Sequence, residues 1–393
     1  MNIVILTFSG IASFDYSLPL IHGLKKETKI DNVYLLSNTL NYSKFFWSFK
    51  DSRKILERMG IENIDLSSYS IFKYIKYIFK FNPRQHNRKN FIIKILSRIE
   101  KIIIGNLNLT IKTLEKIDAD VVFFDHRNPN TIARYEDIFK YFKNKGIKVF
   151  LLPHAPHYLE KSEHLVTGLN KDILKHINYI EPFRYTKLDT EIKSDYKSVL
   201  KINYPGFELD WLSFISKHPV YTNSLVVLLR PFHTQNSEWQ ENEKVILTNN
   251  ELEDIILSIN LLLEKESFEK VIIKPHPKNF QHELDSFVTP FIKHKDIVYY
   301  HESIMNLISK SNSFISSYST TLLTSIASGS PTYIINTVIF ENIFMDWNIL
   351  RNLYSNFTGF TKPSEIKNVK IDTQIDKLHL QKFFKPDQKL NLL

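Results

Sequence analysis

A cation and an imidazole stand together in Lys274-Pro275-His276-Pro277, directly after the apolar β-branched run Val271-Ile272-Ile273. Such a run reads as a buried parallel strand, which puts the residues after it at the strand's carboxyl end, where open parallel sheets bind ligands. Further on, Phe314-Ile315-Ser316-Ser317-Tyr318-Ser319-Thr320-Thr321 runs into the helical segment Leu322–Ser328. That segment sets hydroxyls and free backbone N–H groups at a helix start, a ready anion site. Lys274, His276, Ser317, Ser319 and Thr320 thus have the chemistry to hold a phosphate. Each piece also has a plainer reading: proline beside a histidine ends a strand, and Ser or Thr before a helix is an N-cap.

The elements between the two segments bring them together. The patterning predicts a helix over Gln281–Ile292, a strand over Ile297–Tyr300 and an amphipathic helix over Ile304–Ser309. Both segments then end strands of one βαβαβ unit, and right-handed crossovers put them on the same sheet edge.

A Lys-Pro-His-Pro strand end followed by Ser319-Thr320, a helix, Ala327-Ser328-Gly329-Ser330-Pro331 and another strand resembles the carboxyl-terminal domain of GT-B glycosyltransferases. More narrowly, it is similar to the bacterial sialyltransferase, polysialyltransferase and capsular Kdo-transferase groups, which carry an HP motif and a following Ser/Thr motif. The match covers Leu225–Asn336. The resemblance implies an α/β chain of the GT-B type, with two Rossmann-like domains facing an interdomain cleft. It also implies a CMP-activated acidic sugar, sialic-acid-like or Kdo, as donor and an oligosaccharide or lipid-linked glycan as acceptor. No metal and no other cofactor is expected, because Lys274, His276, Ser319, Thr320 and the helix dipole would stabilise the leaving phosphate.

Other candidates follow from strand ends. Arg230 closes the strand Leu225–Leu229, and its guanidinium fork matches a phosphate or a sugar carboxylate. Glu302 follows Ile297–Tyr300, where related enzymes recognise base or ribose; its competing role is a helix cap. In the amino-terminal half, three strand ends carry polar side chains: Ser9 with Asp15 after the first strand, Asp125-His126-Arg127 after Val121–Phe124, and His154 with His157 after Lys148–Leu152. Ser9, His126, Arg127 and His157 are the acceptor-binding candidates. His154 titrates in the working range and could take the acceptor's proton, with Asp125 as rival or orienting group and Asp15 in reserve. The carboxylate-base motif of sialyltransferases, Asp/Glu-Asp-Gly, has no counterpart here.

With 393 residues, 43% of them hydrophobic and 24% charged, the chain is globular and large enough for two cores. Alternating strand and helix signals argue for parallel sheets: strands at Ile3–Thr7, Val33–Leu36 and near Tyr179–Ile180, and helices at Tyr16–Lys25, Phe45–Met59, Phe91–Lys116, Ile132–Lys145 and Glu251–Lys265. The expected division is 1–205 on the acceptor side, a linker at 206–223, a nucleotide-sugar domain at 224–340, and carboxyl-terminal helices at 341–393 that the resemblance returns to the first domain. The absence of cysteine excludes disulfides, thiolate metal sites and Cys nucleophiles. No G-x-S-x-G, G-x-G-x-x-G or P-loop pattern occurs, so hydrolase, hydride-transfer and P-loop readings have no support.

The net charge of +9 is concentrated between Lys73 and Lys101, where nine Lys or Arg face one acid, Glu100, among interleaved Phe, Tyr and Ile. That pattern over 70–104 suits an anionic membrane surface, or alternatively a pair of ordinary surface helices. Since the amino terminus enters a strand with no basic region before it, a cytoplasmic protein, peripheral on the inner face of the membrane, is expected. Nucleic acid is not an expected partner. The alternatives are a CDP-glycerol-type polyol-phosphate transferase and a non-enzymatic basic protein that binds membranes or nucleic acid.

Overall fold

The computed structural model describes residues 1–7, 14–37, 50–65, 107–126, 135–153, 169–181, 195–202, 204–230, 232, 247–276, 279, 281–317, 319, 321–337 and 353–383. The chain divides into two compact units, the first running from Met1 to Trp211 and the second beginning at Leu212.

The first unit holds seven strands: β1 Asn2–Thr7, β2 Asn32–Ser37, β3 Ile61–Asp65, β4 Val121–His126, β5 Lys148–Pro153, β6 Ile177–Glu181 and β7 Ser198–Lys201. They pair in the order β3-β2-β1-β4-β5-β6-β7, all parallel. Ile3, Val4, Ile5 and Leu6 are all buried, as a strand covered on both faces requires. Val4, Leu6, Phe124, Phe139 and Phe142 lie in one core cluster. Helix Glu136–Lys145 stops at Gly146, whose left-handed φ of 69° favours glycine; the Ile147 N–H then returns to the Phe142 carbonyl at 3.0 Å.

The second unit holds β8 Ser224–Leu228, β9 Lys270–Lys274, β10 Ile297–Tyr299, β11 Ser313–Ser316, β12 Thr332–Ile335 and β13 Phe360–Thr361, in the order β10-β9-β8-β11-β12-β13, all parallel. Helix Asn249–Lys265 begins with a capping box, in which the Thr248 side chain accepts from the Glu251 N–H and Glu251 accepts from the Thr248 N–H. In both sheets the first strand lies inside, the next two go to one side and the fourth goes to the other, which is the Rossmann order. The expected pair of Rossmann-like domains is therefore present.

Several expected elements differ. The helix expected over Gln281–Ile292 is helix Gln281–Phe287 followed by a 3-10 turn Thr289–Phe291, because Pro290 has no N–H to continue an α-helix. The helix expected over Ile304–Ser309 is a 3-10 turn, Ile304–Asn306, and Ile304, Met305, Leu307 and Ile308 are all buried. Its apolar pattern marks a segment enclosed on all sides, not an amphipathic face. The stretch 206–223, read as a linker, holds the boundary between the two units and also contains helix Leu209–Ser216 with Trp211, Leu212 and Ile215 buried. In the described part of the tail, helix Thr373–Phe383 packs against helix Thr321–Ser328, and 384–393, the end of the tail expected to return to the first domain, lies outside the described residues. Stretch 70–104 lies outside the described residues. Among those residues, no helix is long and apolar enough to cross a membrane.

Candidate functional site

The chain-order reversal in the second sheet falls between β8 and β11, the place where open α/β sheets take ligands beyond the strands' carboxyl ends. The residues there come from both sides of the reversal. Arg230 lies two residues past β8 and is 6% exposed. Lys274 ends β9, with His276 two residues beyond and both partly exposed. The Leu229 N–H donates to the Lys274 carbonyl at 3.0 Å, so the β8–β9 ladder continues up to the site.

A residue not foreseen in the sequence joins these two strand ends. Asn279 is buried; its N–H donates to the His276 carbonyl at 2.9 Å and its side-chain amide to the Arg230 carbonyl at 3.1 Å. An Asn three residues after a histidine is an ordinary turn signal. The contact with Arg230, 49 positions away in the chain, has no sequence signal.

On the other side of the reversal, Ser316 and Ser317 differ sharply. The Ser316 hydroxyl donates to the Leu228 carbonyl at 2.8 Å and fastens β11 to β8. Ser317 is fully buried, and among the described residues its hydroxyl has no hydrogen-bond partner. Buried polar groups are nearly always paired, so such an exception calls for a reason, and a ligand is one. Ser319 precedes helix Thr321–Ser328: its side chain accepts from the Thr321 N–H at 3.3 Å and its carbonyl from the Leu322 N–H at 2.9 Å. Ser319 is thus a cap facing a helix dipole. Thr320 lies outside the described residues.

The small-residue motif after that helix is a stop signal. Gly329, at φ 80°, ends it; the Ser330 N–H returns to the Ser325 carbonyl at 3.0 Å, and hydroxyl bonds among Ser325, Ser328, Ser330 and Thr332 lead into β12. Glu302 follows β10 and is buried. The cap it was weighed against belongs to Ser303, whose side chain accepts from the Met305 N–H.

In the first sheet the reversal falls between β1 and β4. Asp125 and His126 end β4 beside Leu152 and Pro153 of β5. Asp15 occupies the first turn of helix Phe14–Glu27, where a carboxylate complements the dipole, and its carbonyl accepts from the Tyr204 hydroxyl at 2.6 Å. Next to it, Tyr16 is fully buried, and burial, with a smaller contribution from Tyr179, holds its phenol well above the usual value. Ser9, Arg127, His154 and His157 lie outside the described residues.

The chain has one Asp-x-Asp, Asp118-Ala119-Asp120. It sits before β4, at the strand's amino end, and the Asp120 carboxylate accepts from the Asn2 N–H at 2.7 Å. Its role there is to join strand starts, on the edge opposite the one where ligands bind. Among the described residues, no three His, Asp or Glu side chains group as metal ligands.

No protein-family model matches the chain, nor does any curated protein sequence. Solved structures do align along its length. S. aureus MnaA, in a co-structure with UDP, is 9% identical with a TM-score of 0.48, covering 99% of this chain and 93% of that one. UDP-GlcNAc 2-epimerase from Neisseria meningitidis, bound to UDP-GlcNAc, is 12% identical with a TM-score of 0.44, covering 97% and 98%. A glycosyltransferase from Rickettsia africae is 12% identical with a TM-score of 0.42, covering 98% and 94%. At this level of likeness nothing about donor or reaction passes from those proteins to this chain.

Proposed function

We propose that the chain is a nucleotide-sugar glycosyltransferase that moves an acidic sugar from a CMP-linked donor to a bacterial surface-glycan acceptor without a metal. One observation carries the reading. Arg230, Lys274 and His276 lie at or just beyond the ends of two adjacent strands on one side of the chain-order reversal, and Ser317, whose hydroxyl has no partner among the described residues, and the helix cap Ser319 lie just beyond the next strand on the other. This mixture of cations, hydroxyls and helix N–H groups suits a phosphate on which charge develops as the glycosidic bond breaks.

In the proposed reaction the acceptor hydroxyl attacks the anomeric carbon, and the bond to phosphate breaks with its electron pair leaving on the phosphate oxygen. The proton passes to His154, oriented by Asp125, or to Asp125 itself; Ser9, His126, Arg127 and His157 would hold the acceptor, and Glu302 the nucleoside. The similarity to sialyl-, polysialyl- and Kdo-transferases is what favours CMP and an acidic sugar. The cation-aromatic stretch 70–104 would hold the enzyme on the anionic inner face of the membrane, close to a lipid-linked acceptor.

The test is a thermal-shift panel of CMP, CDP, UDP and a single-stranded oligonucleotide, with and without EDTA. Selective stabilisation by CMP that survives EDTA is the expected result. UDP belongs in the panel because two of the aligned proteins were solved with UDP or UDP-GlcNAc. Selective stabilisation by UDP would overturn the CMP donor, and by CDP would favour the polyol-phosphate alternative. Salt-sensitive oligonucleotide binding without nucleotide binding would overturn the enzyme reading.

A further inference from the structure

A phosphate site built from two strand ends needs its side chains held at a fixed mutual spacing. His276 lies in a loop beyond its strand, where backbone hydrogen bonds help to set its place. Two bonds from one residue, one from its main chain and one from its side chain, tie that loop to the neighbouring strand end. The Asn279 N–H closes a turn onto the His276 carbonyl at 2.9 Å, and the Asn279 amide reaches across to the Arg230 carbonyl at 3.1 Å. The Leu229–Lys274 backbone bond completes the connection between the two strand ends. The main chains of Arg230, Lys274 and His276 are thus joined in one short hydrogen-bonded ring, and Asn279 is the only side chain in it.

The surroundings make this amide hard to replace. Asn279 is 8% exposed, so the bond to Arg230 is little challenged by water. Alanine there would leave a buried carbonyl without that donor. Aspartate, close to the same shape, would set an acceptor against an acceptor. The helix that follows, Gln281–Phe287, starts too late to hold the loop in their place.

Resting on the phosphate-binding reading above, we infer that Asn279 is the positioning residue of this anion site, fixing His276 against Arg230 so that both meet one phosphate. It touches neither substrate nor reacting atoms and acts through His276. Loss of the amide would uncouple the loop from Arg230 while leaving the Leu229–Lys274 backbone bond in place.

A double-mutant cycle on the full chain tests this, using calorimetric affinity for whichever nucleotide of the CMP, CDP and UDP panel binds the wild type. Asn279→Ala is expected to weaken binding about tenfold, the weight of one net hydrogen bond. In a His276→Ala background the same change should cost less than about twofold, because the group it positions is gone. Asn279→Asp, which replaces the donor by an acceptor and adds a negative charge beside the phosphate, should weaken binding at least as much as alanine. A merely structural role would weaken binding equally in both backgrounds, and that result overturns the inference, as does unchanged affinity in folded Asn279→Ala. Should either variant fail to fold, Asn279→Gln, which keeps the amide on a longer stem, must show intermediate affinity with the same dependence on His276; equal loss in both backgrounds again refutes the role. Failure of the wild type to bind any of the three nucleotides would overturn the phosphate-site reading itself, and this inference with it.

Discussion

Adjacent serines at the end of β11 should respond to the same mutation with opposite signs. The Ser316 hydroxyl donates to the Leu228 carbonyl at 2.8 Å in a fully buried setting and ties β11 to the sheet's first strand. Ser316→Ala removes that bond and should cost about 1 kcal/mol net, more if the carbonyl stays unsatisfied. The Ser317 hydroxyl is just as buried and has no partner among the described residues. An unsatisfied buried group carries a penalty of about 1–3 kcal/mol, so Ser317→Ala should stabilise the ligand-free protein by about 1 kcal/mol. The two variants therefore differ by about 2 kcal/mol, which in a domain of this size is about 4–8 °C in Tm. Urea denaturation and scanning calorimetry without nucleotide read the difference directly. With nucleotide present the ranking should narrow, because the wild type gains a partner for Ser317 that the alanine variant cannot offer; functional groups held at a cost to stability behave in this way. If Ser317→Ala is destabilised as much as Ser316→Ala, the hydroxyl already has a partner in the free protein, and the argument from its isolation to a bound phosphate is refuted.

Three further outcomes are expected. His154→Ala and Asp125→Asn should both keep nucleotide affinity, measured by calorimetry, while at least one loses nearly all sugar transfer at saturating donor; normal transfer by both would shift the base to Asp15. Gly359→Ala should destabilise the second unit by about 3 kcal/mol in urea titrations, since a Cβ there would overlap the Thr332 carbonyl oxygen and force β13 off β12; a cost within error of zero would show that the strand end yields freely. Burial raises the Asp376 carboxyl above its ordinary value of 3.8, against bonds from the Thr358 N–H and hydroxyl that lower it. A folded pKa above the unfolded one means that the folded state binds more protons in between, so this group's contribution to stability falls as pH rises from about 3.8 through the raised folded value. Asp376→Asn, which can keep both contacts, should remove that fall, and denaturation midpoints that track the wild type across the window would contradict it.

Much of this architecture is legible in the amino-acid sequence because it depends on local chemistry. Ile3-Val4-Ile5-Leu6 and Val271-Ile272-Ile273 can only be strands buried on both faces, and a parallel α/β sheet is the setting that buries them so. Lys274 and His276 follow such a strand directly, so their place at a carboxyl edge is set by the chain itself. Gly329 and Pro331 likewise mark where helix Thr321–Ser328 must stop. Elsewhere the same local signals mislead: Ile304–Ser309 carries an apolar pattern that suits a helix face, yet it is enclosed on every side. Phe360–Thr361 is too short to announce a strand and becomes one because Gly359 lets the backbone close on β12. Which serine hydroxyl is bonded and which has no partner among the described residues, and that Asn279 reaches Arg230, are decided only when strands distant in sequence are set side by side. Periodicity and residue type determine how each segment buries its apolar surface, whereas hydrogen-bond partners across a sheet edge depend on register and strand order, which no single segment encodes.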